Sequence, residues 1–329
     1  MPLKIGVIGT GSIGMQHLRI LSSLRNLEVL AIPVRRERRG ELKQAGFKSC
    51  RSLEEAATMG AKLVVVATDT NRHALDSKKA LTLGCHVLIE KPLAGTMSDA
   101  EAILSAAQQA PRSSIFVGCV LRFSESLNIF RAWLPRLGKI HTVRIECQSY
   151  LPNWRPERPY RDSYSARSNE GGVLRDLIHE IDYAGWLFGW PDTIQAKIRN
   201  LGALQIAAEE TADLLWETRS RTIVSINLDY LSRPPMRRMQ ANGENGVLEW
   251  NGISGVARFV GVEGQTEEFA SSQSREDMFV AQARAIVQAC EGKLDGRHAT
   301  LTDGIRAIAI CDAARVASQN RREASIEYL

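Results

Sequence analysis

The rhythm of apolar positions changes once along this chain. Up to about residue 120, short apolar runs alternate with stretches of helical period. LKIGVIG (3–9), LEVLAIPV (27–34), AKLVVVAT (61–68), CHVLIE (85–90) and SIFVGCV (114–120) are almost continuously apolar. Strands buried on both faces read this way, because helices cover each side of a parallel sheet. Helical patterns fill the intervals at 15–24 and around 53–59, 73–83 and 98–109. The alternation predicts a parallel α/β domain over residues 1–122.

Beyond it, KIHTVRIECQSY (139–150) alternates as a half-exposed strand does, and a polar, aromatic-rich loop follows over 151–169. GGVLRDLIHEID (171–182) then reads as an apolar helix interrupted by three acids and a histidine. Strand patterns recur at 193–200, 212–217, 221–231, 236–242, 246–250 and 256–260, separated by turn signals such as Asn242-Gly243-Glu244-Asn245-Gly246. Consecutive strands joined by short turns predict an antiparallel sheet. Helical patterns near 275–291 and 302–318 complete a second, α+β domain over 123–329.

Composition narrows the function classes. The 329 residues carry a net charge of +5, with one local cluster at Arg35-Arg36-Glu37-Arg38-Arg39. A scattered mild excess argues against nucleic acid, which calls for a basic face. The six cysteines show no CxxC pair and no metal spacing, and most lie in apolar runs, as reduced cytoplasmic thiols do. No apolar run reaches the ~18 residues of a membrane span. The N-terminus enters a strand pattern directly, so no secretory signal is expected. No metal is expected.

Gly9-Thr10-Gly11-Ser12-Ile13-Gly14 fits G-x-G-x-x-G between a strand and a helix. In that context the first glycine makes the turn, and the second lets backbone approach a pyrophosphate. The third lets helix pack on strand, and the helix N-terminus, with Ser12 and Ile13, faces the phosphates. An acid about 20 residues on ordinarily holds the adenosine ribose. The chain instead reads Ile32-Pro33-Val34-Arg35-Arg36 there. Arginine cannot accept from ribose hydroxyls but pairs with a 2′-phosphate, so Arg35 and Arg36 favour NADP over NAD.

ATDTNRHALDSKKALTLGCHVLIEKPLAGT (67–96), with His73, Gly84 and Glu90-Lys91-Pro92, resembles the signature of the glucose-fructose oxidoreductase / inositol dehydrogenase / MocA family (Gfo/Idh/MocA). VGCVLRF (117–123), GGVLRDLIHEIDYAGWLFG (171–189) and LTDGIRAIAICDAARVASQN (301–320) are similar to its later motifs, in the same order. The resemblance implies an α/β Rossmann domain plus an α+β C-terminal domain with an open, mainly antiparallel sheet. It implies NAD(P)-dependent hydride transfer to or from a sugar, sugar acid, nucleotide sugar or cyclitol, and a homodimer or homotetramer formed through that sheet. It places Thr68, Asn71, His73, Glu90 and Lys91 beside the cofactor. It makes Lys91 and His179 catalytic, with Asp176 as the histidine's acidic companion and Arg122 near the substrate. Two departures stand out: Asp69 replaces a common proline, and Asp176 precedes His179 by three residues instead of four.

The chemistry suits these residue types. Oxidising a secondary alcohol requires a base for its hydroxyl proton, which histidine supplies near neutrality. A lysine ammonium stabilises an alkoxide or polarises a ketone. Lys91 is expected from the first domain and His179 from the second, meeting at the substrate. Trp154, Arg155, Tyr160, Arg161 and Tyr164, in the loop before the second motif, are expected to bind it. Aromatic faces cover sugar C–H surfaces, and arginine favours an acidic or phosphorylated sugar. An NAD-dependent glycosidase of the same family and a non-catalytic dinucleotide sensor are the alternative readings.

Overall fold

The computed structural model describes residues 2–168 and 170–329; Asn169, the last residue of the expected loop, lies outside them. The chain forms two compact units, Met1–Val120 with Arg275–Ile305 and Leu121–Ser274 with Arg306–Leu329. The first begins β1 (Leu3–Ile8), α1 (Ser12–Ser23), β2 (Leu27–Ile32), α2 (Arg38–Gln44), β3 (Lys48–Ser49), α3 (Leu53–Thr58) and β4 (Ala61–Val66). It continues with α4 (His73–Thr82), β5 (His86–Ile89), α5 (Met97–Gln109) and β6 (Ile115–Val117). The second unit supplies α6 (Glu125–Trp133), β7 (Ile140–Gln148), α7 (Val173–Asp176), α8 (Ile178–Phe188), β8 (Thr193–Arg199) and β9 (Thr211–Glu217). Its sheet goes on through β10 (Ile223–Asp229), β11 (Met236–Gly243), β12 (Gly246–Asn251), β13 (Val256–Gly261) and β14 (Thr266–Ala270). After these come α9 (Arg275–Cys290), β15 (Ala299–Thr300), α10 (Leu301–Asn320) and β16 (Ala324–Ser325).

In the first unit the strand order is β15-β6-β5-β4-β1-β2-β3. All pairs are parallel except β15 with β6. The order reverses direction at β1, which lies between β2 and β4. Such a switch point leaves a crevice outside the strand carboxyl ends, where open α/β sheets bind ligands. The apolar runs predicted as strands supply the core: Ile5, Val7, Leu63 and Val65 pack with Leu18 and Leu21 of α1.

One boundary differs from the sequence reading, which assigned 123–329 to a single second domain. Arg275–Ile305 returns to the first unit. The reason is the apolar stripe of α9, whose Phe279, Ala283, Ile286 and Ala289 belong to the same core as Ile5 and Leu18. Residues at i, i+4, i+7 and i+10 share a helix face that must be buried somewhere, and periodicity does not say against what.

In the second unit nine strands run in the order β14-β13-β12-β11-β7-β10-β9-β8-β16. The neighbours are antiparallel except β7 and β10, which run parallel. From Ala212 on, alternation is strict along β9: Ala212, Leu214 and Trp216 are buried and Asp213, Leu215 and Glu217 exposed. The polar face carries Arg144, Glu146, Lys197, Asp213, Arg238, Glu249, Arg258 and Glu268.

Candidate functional site

In the first unit, the glycine loop leaves the carboxyl end of β1 at the switch point. A Cβ on Gly14 would lie 1.9 Å from the Gly9 carbonyl oxygen, so only glycine lets α1 pack this close to the loop. A Cβ on Gly11 would meet no protein atom within 4 Å. Gly11 is thus bare for a different reason: its backbone faces open space that a ligand can approach. The α1 N-terminus has no side-chain cap and no acid in its first turn. Its first N–H groups and the positive end of its dipole therefore suit an anion, and the loop fits a dinucleotide pyrophosphate. Ser12 is exposed there and Ile13 half-buried.

After β2, Arg35 and Arg36 are exposed as expected residues of the ribose end. Their carbonyls accept from the Arg38 and Arg39 N–H groups, turning the chain into α2. Sequence reasoning passed over Arg38, yet its guanidinium lies on the glycine loop. Nη2 donates to the Thr10 carbonyl at 3.1 Å, and Nη1 pairs with Glu41 at 2.5 Å. The only signal was membership of the basic cluster, which does not rank its arginines.

At the carboxyl end of β4, Thr68 Oγ1 donates to Asp76 at 3.0 Å, and Arg72 grips the same carboxylate at 2.9 and 3.2 Å. Asn71 is exposed in the short turn between β4 and α4. His73 is 1% exposed, with Nδ1 2.9 Å from the Pro92 carbonyl and Nε2 3.1 Å from the Thr68 carbonyl. Burial holds this imidazole below its ordinary pKa, so the neutral ring has one proton for two acceptors. Its place is as a brace between the ends of β4 and β5.

Beyond β5 stand Glu90, buried, and Lys91, half-buried. Glu90 Oε1 lies 2.6 Å from His17 Nε2, and Oε2 accepts the Lys91 N–H at 3.2 Å. Burial alone would raise the Glu90 carboxyl. The hydrogen bond and charge of His17, with Lys91 adding to them, outweigh it and hold the carboxyl below its ordinary range. A carboxylate therefore accepts from both neighbours.

In the second unit, the expected single helix over 171–182 is two. Leu177, at φ −97° and ψ 31°, separates α7 from α8. Asp176 ends the first and His179 stands in the opening turn of the second, so a helical three-residue offset does not describe their relation. Gly172 opens α7 at φ +87°, and a Cβ there would sit 2.3 Å from the Glu209 carboxyl carbon. His179 is half-buried. Asp176 is buried and accepts from Tyr230 Oη at 2.6 Å. The Tyr164 hydroxyl is pushed well above its ordinary pKa, first by burial and then by Asp176. Tyr230 was invisible to sequence reasoning because it lies 54 residues from its partner.

The other expected substrate residues divide. Arg122 is 1% exposed and forms a bidentate pair with Asp182 at 2.9 and 2.6 Å, beside the Trp186 ring. The pair has a simple cause: a buried charge in an apolar motif is stabilised by a buried partner, and Asp182 in α8 supplies it. Arg161 donates to the Leu204 carbonyl and to Gln205, and Tyr160 Oη to the same carbonyl, so both fasten the loop to residues 204–205. Trp154 is 38% exposed, edge-on to Tyr230, with Nε1 bonded to Ser149. Arg155 is exposed. Among the described residues no His, Cys, Asp and Glu cluster suited to a metal occurs, and no helix is long and apolar enough to cross a membrane.

Comparison with known proteins now adds to this geometry. The curated relatives that match include two named dehydrogenases. One is the glucose-6-phosphate 3-dehydrogenase of Bacillus subtilis (strain 168), 26% identical over 70% of this chain and 69% of its own. The other is the inositol 2-dehydrogenase of Acidiphilium cryptum (strain JF-5), 28% identical over 69% of this chain and 67% of its own. A solved levoglucosan dehydrogenase in complex with NADH shares the fold, with a TM-score of 0.89 at 16% identity and 100% of both chains covered. The model of an oxidoreductase family with an NAD-binding Rossmann fold matches residues 3–118, and that of the GFO/IDH/MocA C-terminal domain matches 135–249. With both halves matched in order, the chain belongs to the Gfo/Idh/MocA family of oxidoreductases.

Proposed function

We propose that this protein transfers hydride between a nicotinamide dinucleotide and a secondary hydroxyl or ketone of a sugar, sugar acid, nucleotide sugar or cyclitol. Lys91 and His179 are its catalytic residues. The observation that carries the reading is the placement of Lys91 on the same strand-end edge as the glycine loop, in a chain whose relatives are named for sugar and inositol dehydrogenation. The α1 N-terminus and Gly11 would hold the pyrophosphate. When bound, the nicotinamide supplies the hydride chemistry. The chain's part is proton and charge: His179 takes the hydroxyl proton, and the Lys91 ammonium donates to the oxygen that becomes negative.

For the cofactor's ribose end we favour a 2′-phosphate, hence NADP. No acid stands among the four residues that directly follow β2, and three arginines stand there and just beyond, Arg35 and Arg36 exposed and Arg38 on the loop. The levoglucosan dehydrogenase structure holds NADH, so the preference is to be measured. The second unit's open, charge-laced sheet face supports pairing of two copies, since it presents both signs to a partner.

The experiment incubates the protein with NAD or NADP and a panel of glucose 6-phosphate, myo-inositol, levoglucosan, sugar acids and nucleotide sugars. Absorbance of the reduced cofactor is followed. Lys91→Ala and His179→Ala each lower kcat by about 100-fold or more while cofactor still binds. A Lys91→Ala protein as active as the parent removes the catalytic assignment. For the cofactor, Arg35→Ala and Arg36→Ala raise KM for NADP and leave NAD unchanged, whereas Arg38→Ala, which also frees the Thr10 carbonyl of the glycine loop, weakens both and NADP more. Equal affinities insensitive to Arg35→Ala and Arg36→Ala remove the phosphate argument.

A further inference from the structure

Three features of the first unit converge on the short segment that carries Lys91. Glu90, immediately before it, is buried and points its carboxylate inward. One oxygen, Oε1, lies 2.6 Å from His17 Nε2 on α1; the other accepts the Lys91 backbone N–H at 3.2 Å. Pro92, immediately after, has its carbonyl 2.9 Å from His73 Nδ1. Gly118, at the end of β6, leaves the room: a Cβ there would stand 3.0 Å from the Glu90 carboxyl group. His17 itself is 3% exposed and packs edge-on to Phe279 of α9, with ring centroids 5.6 Å apart.

Cheaper solutions exist for filling this space. An apolar pair would pack the core beneath α1 without desolvating a carboxylate, a replacement that is often neutral or stabilising. A buried, tightly hydrogen-bonded His–Glu pair that reaches the Lys91 main chain therefore calls for a reason other than packing. His17 also lies one turn beyond Gly14, on the helix whose N-terminus faces the pyrophosphate site. The pair thus joins the cofactor-binding helix to the lysine-bearing turn.

We propose that His17 is a positioning residue for Lys91, acting through Glu90 to fix the lysine main chain relative to the glycine-loop helix. His17 Nε2–H donates to Glu90 Oε1, which leaves Oε2 aimed at the Lys91 N–H. His73 holds the other side of the segment at Pro92. The inference rests on Lys91 being catalytic, as argued above.

A double-mutant cycle tests it. Parent, His17→Ala, Lys91→Ala and the double variant are assayed with NADP and the panel sugar that the parent turns over fastest. Melting temperature and NADPH fluorescence are recorded in parallel. In the parent background His17→Ala lowers kcat by up to about 100-fold, the scale for a reacting group displaced by an ångström, with little change in KM for the sugar. In the Lys91→Ala background the same substitution leaves the residual rate essentially unchanged, because the group it serves is gone. His17→Gln, which keeps a donor for Glu90, restores most of kcat. Equal factors in both backgrounds would mean that His17 only supports the fold, and would overturn the proposal while leaving Lys91 catalytic. So would His17→Gln behaving like His17→Ala when both melt as cooperatively as the parent. A Lys91→Ala enzyme with parental activity overturns the catalytic reading itself, and the proposal with it.

Discussion

At the scale of single residues, two glycines of one loop separate what a ligand needs from what the fold needs. Gly14 is enforced by protein: a methyl group there would overlap the Gly9 carbonyl oxygen at 1.9 Å. Gly11 is enforced by nothing in the protein within 4 Å. If the loop holds the dinucleotide as proposed, Gly11→Ala should melt within a few degrees of the parent yet bind the reduced nicotinamide dinucleotide at least about tenfold more weakly, because its methyl would enter the space a pyrophosphate would approach. Gly14→Ala should lose both stability and binding, since helix and loop must separate. Calorimetry of the apo-proteins with a fluorescence titration checks the pair; equal melting losses would deny the distinction. The same scale shows what sequence could and could not supply. The glycine loop was legible because its chemistry is local and ordered by spacing. The partner of Arg122 was not: nothing in a sequence says that Asp182, 60 residues on, closes a bidentate pair with it. Removing one member of such a buried pair costs about 3–5 kcal/mol, so Arg122→Ala is expected to act on stability and not on sugar affinity. A selective rise in KM with an unchanged melting temperature would return Arg122 to the substrate.

At the scale of elements, strands and helices were legible wherever burial was two-sided or strictly alternating. The short, polar or mixed pieces were not: α2, α6 and β14 were passed over because their apolar stripes are narrow or their residues mostly exposed. The break between α7 and α8 escaped for another reason. Gly172 at positive φ and the non-helical Leu177 set the path of Val173–Asp176, and Gly172 packs against Glu209, 37 positions away in sequence. The loop over 150–166 is held to the same region. Tyr160 and Arg161 fasten it to Leu204 and Gln205, and Trp154 stands edge-on to Tyr230, whose hydroxyl donates to Asp176. Tyr230→Phe deletes that donor and little else. It should cost about 1–3 kcal/mol in urea unfolding, as expected when a buried carboxyl group loses a partner. If Asp176 serves His179, the substitution should also move the pH profile of kcat. A stability loss with an unchanged profile would make Asp176 an anchor of α7 alone.

At the scale of the whole molecule, two populations of ionisable groups point toward acid sensitivity, and they differ in cause. His73, His86 and His298 are all held below the ordinary histidine value of 6.5, chiefly by burial. For these the unfolded chain takes up protons first. Stability is therefore full above about pH 6.5 and declines as pH falls from there toward the lower native values. His86 shows the local reason, since its Nδ1 accepts the Ser114 N–H at 3.0 Å and a protonated ring could not. The carboxylates Glu54, Glu28, Asp192 and Asp295 are held below their ordinary values mainly by Lys79, Lys48, Arg219 and Arg297, Glu54 down to about 2. Their contribution is present above the unfolded carboxylate range, near 4.5 for Glu54, and is lost as pH falls through the native values. Thermal midpoints should thus fall in two stages, one beginning below about pH 6.5 and one below about pH 4.5. Salt tells the stages apart. The solvent-accessible ion pairs behind the second are screened at about 1 M, where the Debye length is about 3 Å, whereas desolvation behind the first is not. The upper stage should persist in high salt and shrink in His86→Gln, while the lower stage flattens. A midpoint constant from about pH 7 to about pH 5 would mean that these imidazoles find, on protonation, acceptors that offset their burial.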